Sequence, residues 1–227
     1  MLQTLAKGLL PTGAAAFFSL LWRGCKMKYR LTEETKVFFG RTLHRIVCVT
    51  AFANVAAGEL GGWIESEKNL NQSSDAWVYG DAKVYGNAWV YGDAKVYGNA
   101  EVYGNAEVCG NAKVYGDAKV YGDAEVYGDA WVYGDAWVYG DAKVYGNAKV
   151  CGNADYIVLK NNWSSGRYFT YTLSNKMWKV GCFFGTGEEL IKKAYEDSEL
   201  SGRCYEASVK YVEELIRIKE GLKCRTE

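Results

Sequence analysis

The sequence predicts a mostly-β chain built on a parallel β-helix, and three observations carry that reading. Val recurs every six residues from Val78 to Val150, thirteen times, with Ala two residues before each and Gly two residues after. Asp or Asn follows every one of those Gly residues. An invariant short period marks a solenoid, in which each repeat is one unit stacked on its neighbours.

The repeat A-x-V-Y-G-D/N has a direct physical reading. Side chains alternate along an extended segment, so Ala and Val share one face while x and Tyr share the other. Gly followed by Asp or Asn tolerates left-handed backbone angles, so the chain turns there. Three corners close one coil of about 18 residues around a triangular interior, and small Ala with β-branched Val suits that narrow space. A pentapeptide solenoid is excluded because it needs a period of five.

An aliphatic residue followed four positions later by a small one, as in Val78–Ala82 and Val84–Ala88, resembles the hexapeptide-repeat left-handed parallel β-helix. The resemblance implies the left hand of the coil, against the usual right-handed preference for parallel crossovers. Tyr stands here where that family ordinarily carries a small or acidic residue.

The elements follow in order. Residues 1–26 hold Lys7 and then the apolar run Leu9–Trp22. Fourteen residues are too short for a membrane span. The run is similar to a signal-peptide core, but Arg23-Gly24-Cys25-Lys26 provides no small-x-small cleavage site. A packed helix is a second reading, and a start at Met27 is the preferred third. Residues 27–74 read as a β cap, with a hairpin that turns at Gly40 and a turn over Gly58–Ile64 leading into the solenoid. Ile64 and Leu70 already keep the six-residue phase. The solenoid occupies 75–155. Residues 156–227 read as an α+β cap: strands Tyr156–Lys160, Arg167–Leu173 and Met177–Phe184, a helix started by the Thr186–Glu189 capping box, and a second helix over Ser201–Lys223. On that last helix Tyr205, Val209, Val212 and Ile216 form one apolar stripe.

Composition narrows the function classes. The chain is formally neutral, with 27 basic and 27 acidic residues. Residues 75–155 carry 6 Lys against 3 Glu and 9 Asp, a local charge of −6, which argues against a dedicated nucleic-acid binder. Seven Cys without a CxxC pair make no disulfide framework. Cys109 and Cys151 replace Tyr in the repeat and are expected outward as free thiols, which favours a cytoplasmic setting.

Residues 18 apart stack in columns. One reads Trp77, Lys95, Lys113, Trp131, Lys149, a basic and aromatic strip suited to a small anion such as a nucleotide. Beside it run Tyr97, Tyr115 and Tyr133, expected as a self-association face, with a trimer favoured. Stacked corner acids such as Asp117 and Asp135 are explained by turn chemistry, and no metal or other cofactor is expected.

The hexapeptide family's acyltransferases and γ-type carbonic anhydrases imply histidine as base or zinc ligand, and His44 is the one histidine. The chain is therefore expected to be a non-enzymatic, oligomerising binding or scaffold protein. A protein that sequesters a small anionic molecule such as a nucleotide and, behind it, a degenerate acyltransferase are the alternatives. Gly61-Gly62-Trp63-Ile64-Glu65, the VYG repeats and the Val180–Thr186 segment also resemble a group of phage- and prophage-type hexapeptide-repeat proteins.

Overall fold

The computed structural model describes residues 27–223, so the expectations for residues 1–26 lie outside the described residues. The chain enters through a hairpin of β1 (Tyr29–Phe38) and β2 (Arg41–Cys48). Its two-residue loop puts Phe39 and Gly40 at φ 47° and 73°, the geometry that matches strand twist. β2 then pairs antiparallel with β3 (Leu60–Ile64). Much of the expected Gly58–Ile64 turn is therefore strand. Two glycines allow it, because a Cβ at Gly61 would lie 2.5 Å from Ile46 Cγ1 and one at Gly62 would lie 2.7 Å from the Ala82 carbonyl.

β3 opens the solenoid by pairing parallel with β5 (Lys83–Val84), which sets Ile64 beside Val84. Leu70 bridges to Val90 in the same sense. These first steps span 20 residues, while Val78 to Val96 and every later Val step span 18. The two extra residues fall between Leu70 and Val78, where no repeat motif constrains the length. Ile64, Leu70 and the thirteen Val make fifteen wall positions, or five three-sided coils.

The thirteen short strands run from β4 (Trp77–Val78) to β16 (Lys149–Val150) and sort into three parallel sheets. The hairpin extends one of them, giving seven strands, and the other two have five and four. Every repeat Ala and Val is fully buried. The corner glycines from Gly80 to Gly146 all hold positive φ, and a Cβ at Gly110 would meet the Gly128 amide at 2.9 Å. Only glycine satisfies both demands.

Both ends of the solenoid are closed by side chains. At the first coil, Lys28 is 5% exposed. Its ammonium donates to the carbonyls of Asn71, Ser74 and Ala76 at 2.5, 2.8 and 2.8 Å. At the last coil, the Trp137 N–H donates to Asn153 and the Trp137 carbonyl accepts from the Tyr156 phenol. The Lys143 and Lys149 N–H groups donate to the hydroxyls of Thr170 and Ser174. Side chains thus meet backbone groups at both ends of the solenoid that would otherwise template another chain.

The C-terminal unit is an antiparallel meander of β17 (Tyr156–Lys160), β18 (Tyr168–Thr172), β19 (Met177–Val180) and β20 (Phe183–Gly185). The single strand expected over Met177–Phe184 is split at Gly181, which has φ 53°. Helices α1 (Gly187–Asp197) and α2 (Glu199–Lys223) pack on this sheet through Leu190, Tyr205, Val209 and Val212. Among the described residues no helix is long and apolar enough to cross a membrane.

Candidate functional site

The 18-residue register places Trp77, Lys95, Lys113, Trp131 and Lys149 side by side in the five-stranded sheet. Their exposure differs. Trp77 is fully buried, enclosed by the ring edges of Tyr29, Phe52 and Tyr79. The hairpin and the loop after it fold over the first coil, so Trp77 is corrected from surface to core. The remaining four stay at the surface. Lys113 and Lys149 bracket Trp131, their ammonium groups 4.5 and 5.1 Å from its ring centre.

Among the described residues this column holds three lysines without an acidic partner, and the other two columns together hold one, Lys83. Lys119 pairs with Glu101 at 3.7 Å, and Lys143 pairs with Glu125. Lys95, Lys113 and Lys149 have no acidic partner among the described residues. Stacked strands lie about 4.8 Å apart, so Lys95 and Lys113 concentrate two uncompensated charges on adjacent rungs. A basic strip with an indole beside it is suited to an anion carrying a planar ring.

Tyr97, Tyr115 and Tyr133 stand next to this column and stack face to face at 4.8 and 5.1 Å, within 7° of parallel. Their flat faces are spent on one another, and what remains outward is ring edge and hydroxyl. Burial, with the neighbouring phenol as a second cause, raises the Tyr97 pKa above its ordinary value.

The third face departs from the pattern at Cys109. Cys109 was expected outward, yet it is buried. The Tyr91 phenol reaches over it to donate to Glu107 at 3.1 Å, and burial pushes the thiol pKa up. Cys151 is exposed as expected. One rung further, burial would raise the Glu125 carboxyl, but Lys143 and Tyr145 outweigh it and hold the pKa below the usual carboxylate value. The C-terminal unit leans on this face with Lys179 over the Tyr145 ring at 4.4 Å.

His44 sits on β2 between Thr35 and Ile64 of the flanking strands, half-buried and away from the basic column. Corner carboxylates are met by amides one coil away, Asn99 to Asp117, Asn105 to Asp123 and Asn111 to Asp129, each at 2.9–3.0 Å. The Gly185–Gly187 turn is filled by its own capping box, in which the Thr186 N–H donates to Glu189 at 2.8 Å.

Period, register and three-sheet closure define a hexapeptide-repeat β-helix. No protein-family model matches the chain. A 60-residue stretch, 23% of the chain, is 37% identical to a protein named uncharacterized acetyltransferase YdcK, from Escherichia coli strain K12. That stretch covers 18% of the relative's length. The expectation of a non-enzymatic chain, drawn from the single histidine, is corrected by this similarity to a protein named as an enzyme. A histidine count constrained only the mechanisms that use histidine.

Proposed function

We propose that the chain is an acyl-transfer protein whose solenoid holds the anionic nucleotide end of an acyl thioester such as acetyl-CoA against Lys95, Lys113, Trp131 and Lys149. The observation that carries this reading is that three lysines without acidic partners share one column with Trp131, when Lys119 and Lys143 of the other columns are paired and Lys83 is the one lysine there that is not. The printed name of the E. coli relative supplies the reaction class. In that reaction the acetyl group leaves the thioester sulfur for a hydroxyl or amine, and the free thiol of CoA is released. The Gly61–Glu65 and Val180–Thr186 segments support a phage or prophage origin. Five free cysteines among the described residues support a reducing, cytoplasmic setting.

The test is release of CoA thiol from acetyl-CoA, followed with a colorimetric thiol reagent across a panel of sugars and amines. Turnover with at least one acceptor is expected, and it should fall at least tenfold in Lys95→Glu/Lys113→Glu. Thiol release at the uncatalysed rate with every acceptor would refute acyl transfer.

A further inference from the structure

The Tyr ladder on the seven-stranded sheet has one free end. Tyr85, Tyr103, Tyr121 and Tyr139 stack at 5.0, 4.8 and 5.3 Å, within 11° of parallel. Phe38 closes the first ring edge-on at 5.8 Å. On another face the last ring, Tyr145, meets Phe184 at 6.5 Å. Tyr139 has no ring beyond it among the described residues, and it is 50% exposed. It opens on a cleft of about 440 Å3 between the last coil and the C-terminal sheet. Tyr139, Asp141 and Asn153 line this cleft from the solenoid, and Tyr156, Val158 and Tyr168 line it from the sheet. A stack of flat rings that stops at a cleft offers its last face to one more flat ring.

The polar groups of the cleft define the edge such a ring must carry. Other corner carboxylates accept an amide from the coil before, as Asp123 does from Asn105 at 3.0 Å. Asp141 is the next corner of that column, and it accepts none among the described residues. Its neighbour there is Asp123, and a carboxylate has nothing to donate. Asn153 spends its Oδ1 on the Trp137 N–H at 2.8 Å, which leaves its Nδ2 as a donor. An open carboxylate and an open amide donor thus share one cleft. Guanine carries the complement, two adjacent N–H donors at N1 and N2 beside the O6 acceptor, where adenine has a single amine.

Asp141 and Tyr168 also line an adjoining cavity of about 500 Å3, together with Arg167 and Lys143. Lys143 is held by Glu125. Arg167 is in no ion pair among the described residues. An uncommitted guanidinium is suited to phosphate.

We propose that this cleft binds a guanine nucleotide, with the base stacked on Tyr139, its N1 and N2 edge on Asp141, and the phosphate on Arg167. The site lies on a different sheet from the Lys95–Lys149 column, and it does not depend on acyl transfer.

Calorimetric titration of guanosine 5′-monophosphate (GMP) into the full chain tests the proposal. GMP should bind, and ribose 5-phosphate, which lacks the base, should bind at least tenfold more weakly. Tyr139→Ser and Arg167→Ala alter exposed side chains, so each should keep the wild-type circular dichroism spectrum and weaken GMP at least tenfold. Lys95→Glu/Lys113→Glu should leave it within a factor of three. Asp141→Asn keeps the shape and exchanges one acceptor for a donor. It should reverse the order of GMP and xanthosine 5′-monophosphate, whose C2 carries a carbonyl where guanine has an amine. A merely structural Asp141 would move both ligands alike, and an unchanged order overturns the proposal. So does the absence of binding at millimolar GMP, or equal binding of ribose 5-phosphate. GMP binding that survives Tyr139→Ser but is lost in the Lys95/Lys113 variant also overturns it, by moving the nucleotide to the basic column.

Discussion

Val114→Asp is expected to abolish folding. Val114 is fully buried and lies in register between Val96 and Val132. The walls around it carry only Ala and Val side chains, so a carboxylate there has no donor and no counter-charge. Burying an unpaired ion costs far more than the roughly 5–15 kcal/mol that holds a domain together. Protonation lowers that cost but leaves a buried carboxyl with no partner, still several kcal/mol unfavourable. One coil cannot melt alone, because each strand donates to the next through bonds such as Tyr97 N–H to the Val114 carbonyl. By contrast, Lys113→Gln on the same strand should change stability by no more than about 0.5 kcal/mol. Circular dichroism and urea unfolding of both variants check the pair. Equal tolerance would overturn the assignment of inward and outward positions.

Lys28→Met should cost about 2–5 kcal/mol, through loss of the donor to three buried or half-buried carbonyls at roughly 1–3 kcal/mol each. Relief of the ammonium's desolvation offsets part of this, which keeps the estimate below the sum. The same burial drives the Lys28 pKa down to about 8 from 10.5, with Asp75 and Cys48 opposing it. The sign follows from proton uptake. Between pH 8 and 10.5 the unfolded chain holds the proton that the folded chain has shed, so wild-type stability from this group rises with pH across that window. Lys28→Met lacks the effect. Urea midpoints at pH 7 and pH 9.5 should therefore separate further at the higher pH. A variant as stable as wild type at both values would contradict the capping role.

The parts of the molecule written in periods were legible, and the parts made by contacts between distant segments were not. Counting eighteens sets Lys113 beside Trp131, since the solenoid converts sequence spacing into neighbours. The same count put Trp77 on the surface, because nothing near it in the chain announces that Tyr29 and Phe52 cover it. Alternation pointed Cys109 outward, and it does leave the core wall. What it does not report is that the Tyr91 phenol closes over the smaller side chain. Lys28 looked like one more charged residue at a strand start, and its role depends on three carbonyls more than forty residues away. On α2 the stripe read from the sequence, Tyr205, Val209, Val212 and Ile216, is the one that packs on the C-terminal sheet.

Function was less legible than fold for a related reason. Hexapeptide solenoids present their outer positions as free columns, and a column records charge and shape without naming a reaction. The similarity to an acetyltransferase-named protein runs over a 60-residue alignment that covers 18% of that protein. We propose the reaction class from that name, and the lysines without acidic partners as the place where an anionic donor would lie.

Calorimetric titration of CoA into the full chain tests that claim most directly. The wild type should bind with a micromolar to millimolar Kd that weakens with added salt, as contacts to phosphate do. Lys95→Glu/Lys113→Glu should weaken it at least tenfold, while Lys119→Glu, at a lysine already paired with Glu101 on another column, should leave it within a factor of three. Equal affinity in the wild type and the Lys95/Lys113 variant would contradict the account.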